Sequence, residues 1–186
     1  MWEDPRIRST WQRRIADSAA KIVKNMQRYV AVSKMFNGAV PDWVVGIIHC
    51  LEGDCNFNRH LHNGDPLGAP TRNGPRNRPP GWMQLKPEER TWELSAVDAL
   101  RYDSMDKKNW TTPETALSAL ELFNGPGYMK QGIKINSPYL CSGTEWYITG
   151  KYVEDPDSHF IRGIVSDQVG CIPLMKALGV KFGGEK

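Results

Sequence analysis

The apolar positions of this chain recur mainly at helical spacing. Between Thr10 and Val32 they return every three or four residues, which predicts one long amphipathic helix with a basic opposite face. The next apolar run extends from Trp43 to Leu51, with Pro41 just before it and Gly53 just after it. Because proline is favoured in the first turn of a helix and glycine beyond its end, we expect a second helix between these two residues.

Capping residues predict further helices in the second half of the chain. Thr91 precedes a helical pattern over 92–102, and Thr111-Thr112-Pro113-Glu114 offers a capping residue for a second pattern that stops at Asn124-Gly125. A last helix is expected over 166–178. The prolines and glycines of 54–90 predict no regular element there. We interpret 54–90 as part of the fold rather than as a linker, because the preceding helices alone would lack a core. The pattern indicates a mainly α fold.

Glu52 stands at the end of the second predicted helix and is the leading catalytic candidate. Val45 and Ile48 precede it by seven and four positions, so the three side chains share one helical face. We therefore expect Glu52 to be only partly solvated, with a pKa raised by burial and by the negative end of the helix dipole. A carboxyl group that keeps its proton near neutral pH can protonate a glycosidic oxygen.

The loop after Glu52 offers partners for such a reaction. Asp65, in the turn His-Asn-Gly-Asp-Pro, is a candidate second carboxylate, and Thr71 is a candidate for holding a water molecule. Asp65 is also a typical turn residue between glycine and proline. The polar side chains of His62 and Asn63 are candidates for binding a substrate. Glu93 and Asp98 on the helix over 92–102 are alternative second acids.

Aromatic side chains typical of a sugar-binding cleft follow the helix that ends at Asn124. Tyrosine rings stack on the apolar faces of sugars, and their hydroxyls and nearby amides bind sugar hydroxyl and N-acetyl groups. The candidates for substrate binding are Asn124, Gly125, Tyr128, Tyr139 and Tyr147. Packing in the core is the alternative for each tyrosine.

Three segments together resemble phage and prophage lysozyme-like proteins, over about residues 25–180. They are IIHCLEGDCNFNRHLHNGDPL, TWELSAVDALRYD and LELFNGPGYMKQGIKINSPYLCSGTEWYITGKYV. In the wider lysozyme superfamily a catalytic glutamate ends a helix, and Glu52 matches that position. Residues 123–128 are similar to the turn that lines the cleft of goose-type lysozymes and lytic transglycosylases. The step from Asp65 to Thr71 resembles the Asp-to-Thr step of phage-type lysozymes, although the distance from Glu52 to Asp65 is several residues longer.

The resemblance implies an α+β lysozyme-like fold, a helical domain with a long loop or small β region forming one wall of a cleft. It implies one catalytic domain over 1–186, with 1–35 a helical extension packed on it. The expected activity is that of an endolysin, a muramidase that cleaves the β-1,4 bond between N-acetylmuramic acid and N-acetylglucosamine. A lytic transglycosylase, whose sugar hydroxyl replaces the second carboxylate, is the first alternative, and a non-catalytic wall-binding or virion module is the second.

Histidines suggest a metal-dependent peptidase or amidase as a further alternative. His49, His60, His62 and Asp65 are potential ligands, but they match no established metal-binding spacing, and the chain lacks a His-Glu-x-x-His helix. We therefore expect no metal and no other cofactor. The four cysteines also form no zinc pattern. We expect ordinary thiols, with a disulfide formed after release as the alternative.

Composition is typical of a globular enzyme. Among 186 residues, 24 are basic and 21 acidic, so the net charge of +3 is too small to indicate nucleic-acid binding. No apolar run is long enough to span a membrane, and the N-terminus lacks the apolar segment of a secretory signal. We expect a monomer made in the host cytoplasm that binds peptidoglycan glycan strands, and neither nucleic acid nor the membrane interior. The family likeness implies release through a holin pore or carriage on a virion.

Overall fold

The computed structural model describes residues 4–129, 133–153 and 159–183, and these residues form a mainly α fold. The mainly α prediction is confirmed. Short 3-10 turns connect several of the helices. The helices and strands of the described residues are α1 (Gln12–Lys24), α2 (Met26–Met35), α3 (Asp42–Gly53), α4 (Trp92–Tyr102), α5 (Pro113–Asn124), α6 (Pro138–Cys141), β1 (Lys151–Val153), β2 (His159–Ile161) and α7 (Cys171–Ala177).

The helix that carries Glu52 begins and ends where the sequence predicts. Pro41 is the N-cap of α3, and Asp54 ends the helix in the left-handed conformation, with φ of 49°. Every residue from Val44 to Leu51 is buried, so α3 runs through a core rather than along its surface. Gly46 is needed for this packing, because a Cβ atom there would lie 2.7 Å from the Ile22 side chain.

Two other predicted helix starts are confirmed by their caps. The hydroxyl of Thr91 accepts a hydrogen bond from the Leu94 amide at the start of α4. The hydroxyl of Thr112 accepts one from the Thr115 amide at the start of α5. These bonds satisfy backbone donors that the first turn of a helix leaves without partners.

The N-terminal helix departs from the prediction because it is interrupted at Asn25. The Asn25 side chain donates a hydrogen bond to the Lys21 carbonyl at 2.8 Å, so it competes with the helical backbone pattern. The amphipathic pattern of the sequence continues across this break, because a single non-helical residue hardly shifts its phase. The last predicted helix is also shorter than expected, since α7 begins at Cys171.

The structure describes all of residues 54–90, and neither β1 nor β2 lies in this region. Residues 54–90 contain two short 3-10 turns and a single isolated bridge between Arg59 and Pro66. β1 and β2 pair antiparallel, with Tyr152 opposite Phe160. The region after α3 is therefore a long loop, the first of the two forms expected, rather than a small sheet.

The chain divides into two compact units, which we name by their place in the sequence. The middle unit comprises residues 20–108, and the terminal unit comprises residues 1–19 and 109–186. The middle unit has a core that includes Tyr29, Ile47 and Trp92, and the terminal unit has one that includes Leu120 and Ile172. The expectation of one domain with an extension over 1–35 stays a prediction.

None of the helices in the described residues is long and apolar enough to cross a membrane.

Gly170 should tolerate no side chain, because backbone surrounds it closely. A Cβ atom there would lie 2.5 Å from the Leu140 carbonyl oxygen and 2.7 Å from the Ser142 amide nitrogen. We expect Gly170→Ala to lower the free energy of unfolding by about 1–3 kcal/mol, the usual cost of overpacking. Gly163→Ala is the matched control, because nothing lies within 4 Å of its added carbon. Urea unfolding compares the two, and equal stabilities would contradict the packing around Gly170.

Candidate functional site

Glu52 is the penultimate residue of α3, as the sequence predicts, but its side chain is exposed. The prediction that Glu52 is only partly solvated is wrong. The argument assumed a helix with one buried face, whereas α3 is buried on all sides up to Leu51. The helix leaves the core at its last turn, so sharing a face with Val45 and Ile48 does not bury Glu52.

The end of α3 is held in place by contacts of the residues that follow Glu52. The Cys55 amide donates to the His49 carbonyl at 3.2 Å, and the Asp54 amide donates to the Cys50 carbonyl at 3.1 Å. The Lys21 ammonium lies 2.6 Å from the Asp54 carboxylate. These bonds satisfy terminal carbonyls of the helix and fix the backbone from which Glu52 projects.

Asp65 forms the centre of a hydrogen-bonded loop. Its carboxylate accepts hydrogen bonds from the backbone amides of Arg72 and Asn73, at 2.7 and 3.0 Å. It also accepts from the side-chain amides of Asn73 and Asn63, at 2.9 and 3.1 Å. The pKa of Asp65 is lowered, chiefly by the bond from the Asn73 backbone. A carboxylate with a lowered pKa and four donors is a weak base, so this geometry favours a loop-holding role, and the catalytic role stays a prediction.

Thr71 closes the same loop from inside. Its side chain is buried, and its hydroxyl donates to the Pro75 carbonyl and accepts from the Arg78 amide at 2.9 Å. Its backbone amide also donates to the Arg78 carbonyl at 2.8 Å. Because its only donor is used, the hydroxyl could hold a water molecule only by accepting a hydrogen bond from it with its second lone pair. Its predicted role in orienting water remains untested.

His62 and the two alternative acids are also engaged in contacts within the middle unit. The His62 ring bonds to the Asp98 carboxylate at 2.8 Å, and Arg78 bonds to the same carboxylate at 2.6 Å. Glu93 pairs with Arg28 at 2.6 Å. The sequence gives no sign of these pairs, because the partners are 20 or more residues apart.

The potential ligands of the metal-dependent alternative form no ion-binding group in the part of the chain that the structure describes. Among the described residues, no three histidine, cysteine or acidic side chains are placed to share an ion. The His49 ring packs against Trp92, with ring centroids 4.2 Å apart. Both ring nitrogens of His60 have partners, the Ser95 hydroxyl and the Ala69 carbonyl, each at 2.7 Å. This geometry gives no support to the metal-dependent alternative.

The terminal unit contains a cavity of about 760 Å³ at the turn that follows α5. Four of the five sequence candidates in this unit, Asn124, Gly125, Tyr128 and Tyr139, line it. Tyr147 does not line it. Its ring is buried, and its hydroxyl donates to the Gly150 carbonyl and accepts from the Ser166 amide. The structure therefore gives Tyr147 a packing role, the alternative that the sequence leaves open.

The turn after α5 is built around a close pair of tyrosines. The Tyr128 hydroxyl accepts from the Tyr152 amide at 3.0 Å, and the Tyr152 hydroxyl donates to the Gly127 carbonyl at 3.1 Å. The two rings meet edge to face, with centroids 5.2 Å apart. A Cβ atom on Gly127 would lie 2.8 Å from the Tyr152 ring, so this position requires glycine.

Sequence reasoning missed several residues of the cavity. The members that it did not select are Gly127 in the turn, Pro138 at the start of α6, Lys151, Tyr152 and Val153 on β1, and Ser166, Asp167 and Gln168 just before α7. They include two opposite charges. The aromatic-rich stretch after the turn was a usable signal for Tyr152, but nothing in the spacing indicates Asp167.

No protein-family model matches the chain, and no curated protein or solved structure is significantly similar to it.

Proposed function

We propose that the protein is a peptidoglycan-degrading glycoside hydrolase, a muramidase that cleaves the β-1,4 bond between N-acetylmuramic acid and N-acetylglucosamine. The observation that carries the proposal is the tyrosine-lined, polar cavity at the Asn-Gly-Pro-Gly-Tyr turn of the terminal unit. Its volume of about 760 Å³ lies in the usual range of small-molecule sites. The position of Glu52 at the end of a buried helix supports the proposal as well.

In this proposal the cavity binds sugar units of the glycan strand. The rings of Tyr128 and Tyr152 offer apolar surface to the C–H faces of a sugar. The Asn124 side chain is exposed at the end of α5, where its amide can bind a hydroxyl or an N-acetyl group. Lys151 and Asp167 add charged groups of both signs for polar substituents.

Glu52 is the proposed general acid, which protonates the leaving oxygen as the oxocarbenium-like transition state forms. Its exposure leaves the carboxyl accessible to a polymeric substrate. The glycan then displaces water from around the carboxyl, which raises its pKa by disfavouring the charged form.

A lytic transglycosylase is the second candidate, and the contacts of Asp65 favour it. Four hydrogen bonds occupy the carboxylate that an inverting hydrolase would use to activate water. A transglycosylase needs no such residue, because a hydroxyl of the sugar itself attacks. Both candidates use Glu52 as the acid, and they differ in the product.

The test is digestion of purified peptidoglycan, followed by mass analysis of the released sugar ends. Reducing ends are expected for the muramidase, and 1,6-anhydro ends would establish the transglycosylase instead. Binding without cleavage, on walls from several bacteria, would contradict both and favour a wall-binding module.

The cavity has a test of its own in Asn124→Ala. We expect this variant to bind soluble peptidoglycan fragments about fivefold more weakly, because one hydrogen bond is worth roughly 1 kcal/mol. Calorimetry in a Glu52→Gln background measures binding without cleavage. Asn58→Ala, another exposed asparagine, is the control. Equal affinities for the two variants would remove Asn124 from the binding site.

A further inference from the structure

The terminal unit contains a second concave site, a groove of about 490 Å³ that the proposed catalysis does not use. Two segments of the chain form it, residues 133–136 before α6 and residues 146–149 before β1. Its apolar lining consists of Ile133, Ile135, Trp146 and Ile148. We call this site the Trp146 groove. Ile148 is 70% exposed, so apolar surface here is open to a ligand rather than covered by the fold.

Hydrogen bonds and close packing hold the two segments of the Trp146 groove together. The Asn136 side-chain amide donates to the Trp146 carbonyl at 2.9 Å, which ties one segment to the other. The Trp146 amide donates to the Thr144 hydroxyl at 3.2 Å. A Cβ atom on Gly150 would lie 3.0 Å from Ile135 Cδ1, so this side chain packs directly on the backbone. The groove therefore exists before a ligand arrives, which lowers the cost of binding.

The polar groups of the Trp146 groove offer one positive charge and two hydrogen-bond acceptors. Lys134 is exposed, and the described residues that line the groove include no acid to pair with it. The Thr149 hydroxyl donates its proton to the Arg162 carbonyl at 2.7 Å, so its oxygen is left as an acceptor. The bond from the Asn136 side-chain nitrogen leaves the oxygen of that amide as the second acceptor. The ligand that fits has a negative charge, N–H donors and small apolar groups.

The Trp146 groove borders the tyrosine-lined cavity along two stretches of chain. Asn136 of the groove and Pro138 of the cavity are two residues apart, and so are Thr149 of the groove and Lys151 of the cavity. Two residues span at most about 7 Å. A polymer that binds in the cavity can therefore place a side branch in the groove.

We propose that the Trp146 groove binds the stem peptides of peptidoglycan. These peptides are short, rich in alanine, and end in a free carboxylate, and each is attached to an N-acetylmuramic acid. Lys134 pairs with the carboxylate, while peptide N–H groups donate to Asn136 and Thr149. Alanine methyl groups lie against Trp146 and Ile148. The identity of the polymer rests on the proposed function, whereas the choice of its peptide part rests on the groove.

The test is an NMR titration of the full chain with diacetyl-lysyl-D-alanyl-D-alanine, a stem-peptide fragment with one carboxylate. The readout is the indole N–H signal of Trp146, which Trp146→Phe assigns by removing it. We expect the peptide to shift this signal. The C-terminal amide of the same peptide should bind about threefold to fivefold more weakly, because it lacks the charge that an exposed lysine would pair with. A Trp146 signal that does not respond to the peptide would overturn the proposal.

Lys134→Gln tests the partner of the carboxylate. This variant should bind the peptide about threefold to fivefold more weakly than the parent protein, and it should bind the acid and amide forms equally. Lys181→Gln, at another exposed lysine of the terminal unit, is the matched control and should keep the parent affinity. Ile148→Glu should also weaken binding, because it places a negative charge in the groove. A Lys134→Gln variant that prefers the acid form as strongly as the parent does would overturn the proposal.

A peptide-free sugar separates the Trp146 groove from the cavity and from the proposed activity. Tetra-N-acetylchitotetraose should leave the Trp146 signal unchanged, and a shift caused by this sugar but not by the peptide would overturn the peptide assignment. Peptide binding without cleavage of purified peptidoglycan would support the groove and contradict the muramidase. Cleavage of peptidoglycan without peptide binding would support the muramidase and overturn the role of the groove.

Discussion

Glu52→Gln should lower the rate of glycan cleavage by at least about 100-fold, because a positioned general acid contributes roughly 10²–10⁴-fold. Glutamine keeps the shape of the side chain but has no proton of suitable acidity for the leaving oxygen. The exposed position of Glu52 means that the substitution should leave the fold intact. The measurement is the initial rate at which new sugar ends form on purified peptidoglycan.

Glu88→Gln is the matched control for this experiment, because Glu88 is an exposed glutamate in the same unit. It should cleave at the parent rate, and both variants should bind soluble fragments with the parent affinity. Loss of cleavage with unchanged binding would identify Glu52 as a group that acts in the transition state. Cleavage by Glu52→Gln at the parent rate would remove Glu52 as the acid.

The sequence predicts where Glu52 lies along its helix but not how exposed it is. The proline before α3 and the glycine at its end are local signals, so the bounds of the helix could be predicted. The exposure of Glu52 depends on where α3 leaves the core of the middle unit. Residues distant in sequence, such as Tyr29 and Trp92, build that core. The helical spacing of apolar residues within α3 therefore cannot predict the exposure of Glu52.

A similar limit applies to Asp65 and Thr71. Their spacing identifies them as polar residues of one loop, and the structure confirms that one loop contains both. What the spacing leaves open is whether their oxygen atoms are available for chemistry. The loop closes on itself, and its own amides occupy the Asp65 carboxylate. Whether these oxygen atoms are available depends on how the loop folds in three dimensions, which their spacing in the sequence does not determine.

The cavity was predicted in part, for a related reason. The Asn-Gly-Pro-Gly-Tyr turn is contiguous in sequence, so Asn124, Gly125 and Tyr128 could be selected together. Lys151 and Asp167 enter the cavity from distant segments of the chain. Their residue types are ordinary at the surface of a protein, and only the fold distinguishes them from solvated charges.

Mild acid should destabilise the middle unit, and His49 is the main reason. Its ring is 1% exposed and packs against Phe57 and Trp92, with centroids 4.6 and 4.2 Å apart. Desolvation lowers its pKa from 6.5 to about 4. The unfolded chain therefore binds a proton at pH values where the folded protein does not, so stability falls as the pH drops from about 6.5 towards 4. The shift corresponds to about 3 kcal/mol from His49 alone.

The measurement is the free energy of unfolding in urea at pH 7 and pH 5.5, a window that stays above the acid range in which the paired carboxylates Asp65 and Glu93, whose pKa values are lowered, begin to titrate. His60 and His62 have pKa values lowered by burial as well, so they add to the slope in the same direction. His49→Asn keeps a hydrogen-bonding side chain near the Tyr29 hydroxyl but has no titrating ring. The variant should be less stable at pH 7, because it leaves a void, yet it should lose less stability on acidification. Parallel pH profiles for His49→Asn and the parent would mean that His49 accepts a proton in the folded core, and its contacts with Tyr29 and Trp92 would then need a different protonation state.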